Sequence, residues 1–216
     1  VIDFCREAPS RGINPIIGLE AYVAPGSRLT RERGDSSPYH LVMLARNMTG
    51  YKNLIALTTK ANLEGFYYKP RIDRELIEKH SEGITVLSGC PSAEFHRRIQ
   101  EGDREGAMTV AKYYREVFDG HYYLEVQDHG DEKFTRLNPM IADIGRELGI
   151  KVVATNDSHF TMPDEAEAHD VLLCIGTNAT VDQSGRYKFD GQGYWVKGED
   201  EMHSLFPENP EFMSNT

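Results

Sequence analysis

Residues 151–160 read KVVATNDSHF, and this stretch decides where the rest of the chain is placed. It opens as a β-rich run, 152–155, and ends in Asp157-Ser158-His159. Successive side chains of an extended chain point to opposite faces, so Asp157 and His159 should project the same way just past a buried strand. An oxygen donor and an imidazole held together suit zinc, manganese or iron better than calcium. The same letters also fit a helix N-cap, because Asp and Ser cap well and the acidic, helix-like run 163–169 follows. An Asp-x-His triplet alone does not separate the two readings.

Composition narrows the classes. A chain of 216 residues, 39% hydrophobic and 27% charged, is long enough for a full domain with a sizeable core. No apolar run approaches the ~20 residues that span a bilayer, so no membrane partner is expected. Cys5, Cys90 and Cys174 are odd in number and lack CxxC-type spacing, which points to reduced thiols and a cytoplasmic location, not a disulfide framework. With 24 Lys+Arg against 34 Asp+Glu the net charge is −10. That argues against a surface whose main task is to grip duplex DNA, and it is compatible with a pocket of carboxylates and histidines. The run 1–8 reads as a helix with no cap before it, and 210–216 as a helix just starting, so a piece of a larger protein is expected.

Working outward, 15–23 is an apolar strand interrupted by Glu20, a carboxylate that needs a metal, a cation or water as partner. Residues 24–38 form a Gly/Ser/Pro-rich loop. The next strand, 40–45, is headed by His40, which is either a structural histidine or a ligand. An amphipathic helix covers 49–62. The aromatic, basic loop 66–71 either packs or contacts phosphate through Arg71. A short helix, 74–80, leads to the strand 84–87, which runs into Cys90, either a zinc thiolate or a small core residue. Helices at 94–100 and 104–118, a strand at 122–126 with the turn Gln127-Asp128-His129-Gly130, and a helix at 134–148 return the chain to residue 151. This alternation predicts an α/β domain of mostly parallel strands, a barrel or part of one, whose chemistry gathers at strand C-termini. Residues 193–197 should form a further strand outside the barrel, followed by a helix.

Several stretches together carry a resemblance: PIIGLEAYVAP (15–25), YHLVMLA (39–45), GFYYKPRID (65–73), LSGCPS (87–92), LEVQDHG (124–130), ATNDSHF (154–160), AHDVLLCI (168–175) and FDG (189–191). In this order they resemble the polymerase-and-histidinol-phosphatase (PHP) domain of bacterial replicative DNA polymerase III alpha subunits. The resemblance implies a distorted TIM-like (β/α)7 barrel over 1–176, incomplete at its N-terminus, with 177–216 leading toward a polymerase palm. It also implies a cluster of up to three divalent metal ions, zinc or manganese, and matches Glu20, His40, Cys90, Asp157 and His159 to ligand positions; His129 lies in a family-like turn but is not one of them. Two family motifs, a His-x-His with a nearby Asp and an Asp-His-Gly, would precede Val1. The activity implied is metal-dependent 3′→5′ phosphodiester hydrolysis beside a magnesium-dependent polymerase site, with DNA, a proofreading exonuclease subunit and other replicase subunits as partners. A silent structural module that docks the proofreading subunit and a stand-alone phosphatase of a small phosphate ester are the competing expectations.

Overall fold

The computed structural model describes residues 1–33, 37–189 and 191–216; part of the loop 24–38 and Asp190 of the FDG stretch lie outside them. The residues cluster into two units, Val1–Leu124 and Glu125–Thr216.

The first unit runs α1 (Ile2–Ser10), β1 (Gly18–Val23), β2 (Tyr39–Ala45), α2 (Met48–Leu63), β3 (Phe66–Tyr67), β4 (Lys69–Ile72), α3 (Arg74–Lys79), β5 (Ile84–Leu87), α4 (Glu94–Gln100) and α5 (Arg104–Val117), and ends within β6 (Tyr122–Val126). Polar side chains start three of the helices: Asn47, Asp73 and Asp103 accept the amides of Gly50, Leu76 and Gly106 at 3.0, 3.2 and 2.9 Å. Met43, Leu57, Ile77, Ile84, Val86, Phe95 and Leu124 form the buried core, and Tyr114 stacks on Tyr122 with centroids 5.5 Å apart.

The strand order is β3-β4-β1-β2-β5-β6. The α/β class is as expected, but the directions are mixed. β1 lies parallel to β4 and β5 to β6, whereas β2 runs antiparallel to both β1 and β5. A parallel neighbour needs a long crossover, usually helical, whereas the strand pair β1–β2 is joined through a loop and reverses. The expected loop 66–71 is instead a two-stranded hairpin, β3–β4, turning at Tyr68 with φ 58°.

The hairpin also favours packing over phosphate contact for Arg71. Its side chain is fully buried; Nε donates to the carbonyl of Gly65 at 3.0 Å and Nη2 to those of Arg28 and Thr30 at 3.0 and 2.7 Å. A guanidinium committed to three carbonyls inside the fold is a clamp on the loop after β1, not a surface contact for phosphate. Arg28 closes the same clamp through Asp73 (3.0 Å) and Glu64 (2.7 Å).

The second unit carries the end of β6, then α6 (Glu132–Leu148), β7 (Val152–Ala154), a 3-10 turn (Pro163–Glu165), α7 (Ala166–Thr177), α8 (Glu199–Leu205) and α9 (Glu211–Ser214). Asp131 caps α6 by accepting the Lys133 amide at 2.9 Å, and Gly149 ends it in the left-handed conformation, φ 63°. Phe134, Leu137, Ile141 and Ile144 on α6 are buried, as are Val152, Val153 and Ala154 on β7. Beyond β7 the amide of Thr155 donates to the Val126 carbonyl at 3.0 Å. The strand expected at 193–197 reduces to one bridge, Phe160 with Trp195. Gly193, with no side chain to pack, sits at its start. Among the described residues no helix is long and apolar enough to cross a membrane.

Candidate metal centre

Strand register builds a donor cluster within the first unit. Tyr22 on β1 pairs with His40 on β2, and Glu20 with Val42. Glu20 and His40 are therefore diagonal neighbours on one sheet face, within reach of long side chains. His40 Nδ1 lies 2.7 Å from Glu20 Oε1. Cys90 arrives from the turn after β5, the strand on the other side of β2, and its Sγ lies 3.5 Å from the same Nδ1. The donor atoms of Glu20, His40 and Cys90 all lie within 4.8 Å of one another. Carboxylate, imidazole and thiol at this spacing fit a single divalent ion bound at ~2.0–2.3 Å from each ligand.

Glu20 differs from expectation in its burial. Ala21 and Val23 face the core, so the alternate residues Glu20 and Tyr22 face the other way, and the Glu20 side chain is 55% exposed. Its carboxylate thus escapes the cost of an apolar interior.

Hydrogen bonds to Cys90 and then Glu20 outweigh the effect of burial and raise the His40 pKa to about 9. A raised histidine pKa stabilises the fold fully below the unfolded value of ~6.5, and that contribution disappears as pH climbs through the folded value. Solvent around Glu20 screens the interaction, so about 1 kcal/mol is at stake. In urea melts with chelator present, wild type should lose about 1 kcal/mol more than His40→Gln between pH 6 and pH 9.5. Equal losses would show that the imidazole does not feel its two neighbours.

The second unit brings Asp157 and His159 together, but not through an extended chain. Asp157 sits at φ 39°, a left-handed conformation that Asp tolerates, and its Oδ1 lies 3.5 Å from His159 Nε2. The His159 amide donates to the Tyr194 carbonyl at 2.8 Å. The His159 ring meets Phe189 edge-on at 4.6 Å and lies 5.5 Å from His169.

The sequence reading missed how firmly Phe189 and residues 191–197 are tied to the surroundings of His129 and His159. The Gly193 amide donates to the His129 carbonyl at 3.1 Å, and the Gly193 carbonyl lies 3.0 Å from His129 Nδ1. A Cβ at Gly193 would stand 2.7 Å from His129 Cα, so only glycine permits this backbone approach. His129 is buried, stacked on Tyr194 at 3.9 Å. A carbonyl can only accept, so Nδ1 carries the proton and Nε2 keeps its lone pair; Nε2 has no hydrogen-bond partner among the described residues. Burial lowers the His129 pKa, against the Gly193 bond and the Asp157 charge, so the ring is neutral. The turn Gln127-Asp128-His129-Gly130 was visible in the sequence; its partner Gly193, 64 residues away, was not.

Residues 1–129, which hold the Glu20, His40 and Cys90 cluster, match the PHP domain family. The chain belongs to it. Among curated relatives, the chain is 40% identical to DNA polymerase III subunit alpha of Saccharopolyspora erythraea, over 99% of the chain and 20% of that protein. It is 40% identical to the protein of the same name from Borreliella burgdorferi, over 100% of the chain and 19% of that protein. For that of Thermus aquaticus the identity is 39%, over 96% of the chain and 17% of that protein. The chain therefore spans about a fifth of the length of these relatives.

Proposed function

We propose that this chain is the PHP part of a replicative DNA polymerase III alpha subunit and that it forms a metal-dependent phosphodiesterase site that removes nucleotides from a DNA 3′ end. The convergence of Glu20, His40 and Cys90 carries the reading, since a thiol, an imidazole and a carboxylate within 4.8 Å favour zinc, with manganese as the competitor. Asp157 and His159, in the second unit, are a separate pair of candidate donors. A bound divalent ion would supply Lewis acidity to the phosphodiester and make water a competent nucleophile near neutral pH.

The chain's own residues do the holding. Glu20, His40 and Cys90 would turn their donor atoms to the ion, and Cys90 is free of any disulfide. Asp157 and His159 keep each other oriented, and the Tyr194 carbonyl fixes the His159 backbone. Hydrolysis at a 3′ end forms a bond from the water oxygen to phosphorus and breaks the bond to the 3′ oxygen of the preceding nucleotide, releasing a nucleoside 5′-monophosphate. In the longer protein, residues 177–216 would lead toward the palm, where magnesium serves polymerisation. DNA, a proofreading exonuclease subunit and other replicase subunits would be partners in the cytoplasm.

Metal content is the test. Full-length protein should purify with zinc or manganese, lose mismatched-end hydrolysis on chelation and regain it on metal addition. Cys90→Ser should lower metal affinity by ~10- to 100-fold at pH 7.5, because serine offers no thiolate. Full-length protein that hydrolyses equally well after chelation would refute the reading. One that binds no metal and hydrolyses nothing would favour the structural module.

A further inference from the structure

The second unit contains a cavity of about 440 Å³ that the metal-site reading leaves unused. Its size falls within the ~300–1,000 Å³ of small-molecule sites. One side is aromatic: Phe160, His169, Phe189 and Tyr194. These rings meet at steep angles, with His169 and Phe189 at 69° and 5.0 Å and Phe189 and Tyr194 at 62° and 4.7 Å, so they box a space and do not fill it by stacking on one another. The rim is polar, with Arg186, Lys188 and Gln192. The Arg186 fork is taken up by Asp170 at 2.7 and 2.5 Å, which ties the loop after α7 back onto that helix. Lys188 is exposed, and its charge also acts on Asp170.

Phe189 gives the cavity its direction. It is a cavity wall and also packs edge-on, at 90° and 4.6 Å, against His159. A flat ligand against the cavity wall is thus one ring removed from the candidate ligand His159.

We infer that this cavity receives the base of the 3′-terminal nucleotide, with Phe189 as the stacking wall and Lys188 at the phosphate side. The inference rests on the phosphodiesterase reading for the identity of the strand, but not for the binding itself. Aromatic walls accept any base through its π-face, which suits an activity that must remove all four nucleotides. Gln192 and Lys188 leave the rim wet enough for sugar and phosphate.

The test uses full-length protein with excess EDTA, which silences metal-dependent binding elsewhere, and titration with dTMP followed by calorimetry. Wild type should bind dTMP, Phe189→Ala should weaken binding about tenfold or more, and Phe189→Tyr should restore it to within about twofold. Lys188→Gln, at an exposed side chain that leaves packing intact, should weaken dTMP binding and reduce its salt dependence, yet leave thymidine binding unchanged. Absence of dTMP binding, or equal affinity in wild type and a folded Phe189→Ala, overturns the assignment. If Phe189→Ala fails to melt cooperatively, a Lys188→Gln protein with unchanged dTMP affinity overturns it instead. Neither failure touches the metal reading, which is judged by chelation and hydrolysis; conversely, Phe189-dependent dTMP binding in a protein without hydrolysis keeps the cavity as a nucleotide site and removes only the phosphodiesterase.

Discussion

Asp157→Asn is expected to slow mismatched-end hydrolysis by full-length protein by ~100-fold or more, with no loss of thermal stability. Asparagine has the same size as aspartate and tolerates φ 39° at least as well, so the backbone at the end of the β7 loop is not strained by the change. What disappears is the negative charge, and with it the stronger metal donor and the electrostatic partner 3.5 Å from His159 Nε2. A fall in kcat/KM with an unchanged melting temperature therefore reads the charge alone. Hydrolysis at the wild-type rate would show that Asp157 plays no part in the reaction.

The second large effect concerns stability. Gly50 occupies the first turn of α2, where helix propensity alone predicts that alanine would help by up to ~1 kcal/mol. The structure reverses the sign. A Cβ at Gly50 would stand 1.9 Å from the Gly83 carbonyl oxygen and 2.6 Å from its carbon. That oxygen already accepts the Arg46 amide at 2.9 Å, just after β2, so neither side can move without disturbing the β2–β5 pairing. Gly50→Ala should cost about 3 kcal/mol, measured as a shift of the urea midpoint at constant m-value. A midpoint that rises would mean that α2 and the turn before β5 are not in this contact.

Legibility in the sequence followed the range of the interactions. Strands such as 84–87 and 122–126 and helices such as 134–148 are dictated by local apolar patterning and by Gly149, so the residues announce them. The β3–β4 hairpin was hidden because Pro70 and a left-handed Tyr68 break the alternation that marks strands. The reversal of β2 depends on pairing partners on either side of it, which no local pattern encodes. Among the candidate donors, the pairing of Asp157 with His159 was readable, although the left-handed turn that joins them was not. For Arg71 the choice between packing and phosphate contact was not readable, because its partners are carbonyls, which any residue can supply.

The loop that follows Gly193 also carries Trp195, the sole tryptophan of the 216 residues. Its indole lies under Lys197 Nζ at 4.0 Å and donates Nε1–H to Glu201 at 3.2 Å, while its carbonyl accepts from Asn156, the residue before Asp157. Ultraviolet emission of this segment thus comes with a built-in, label-free optical reporter wired to the Asp157 loop, and its wavelength and quenching will register any rearrangement there.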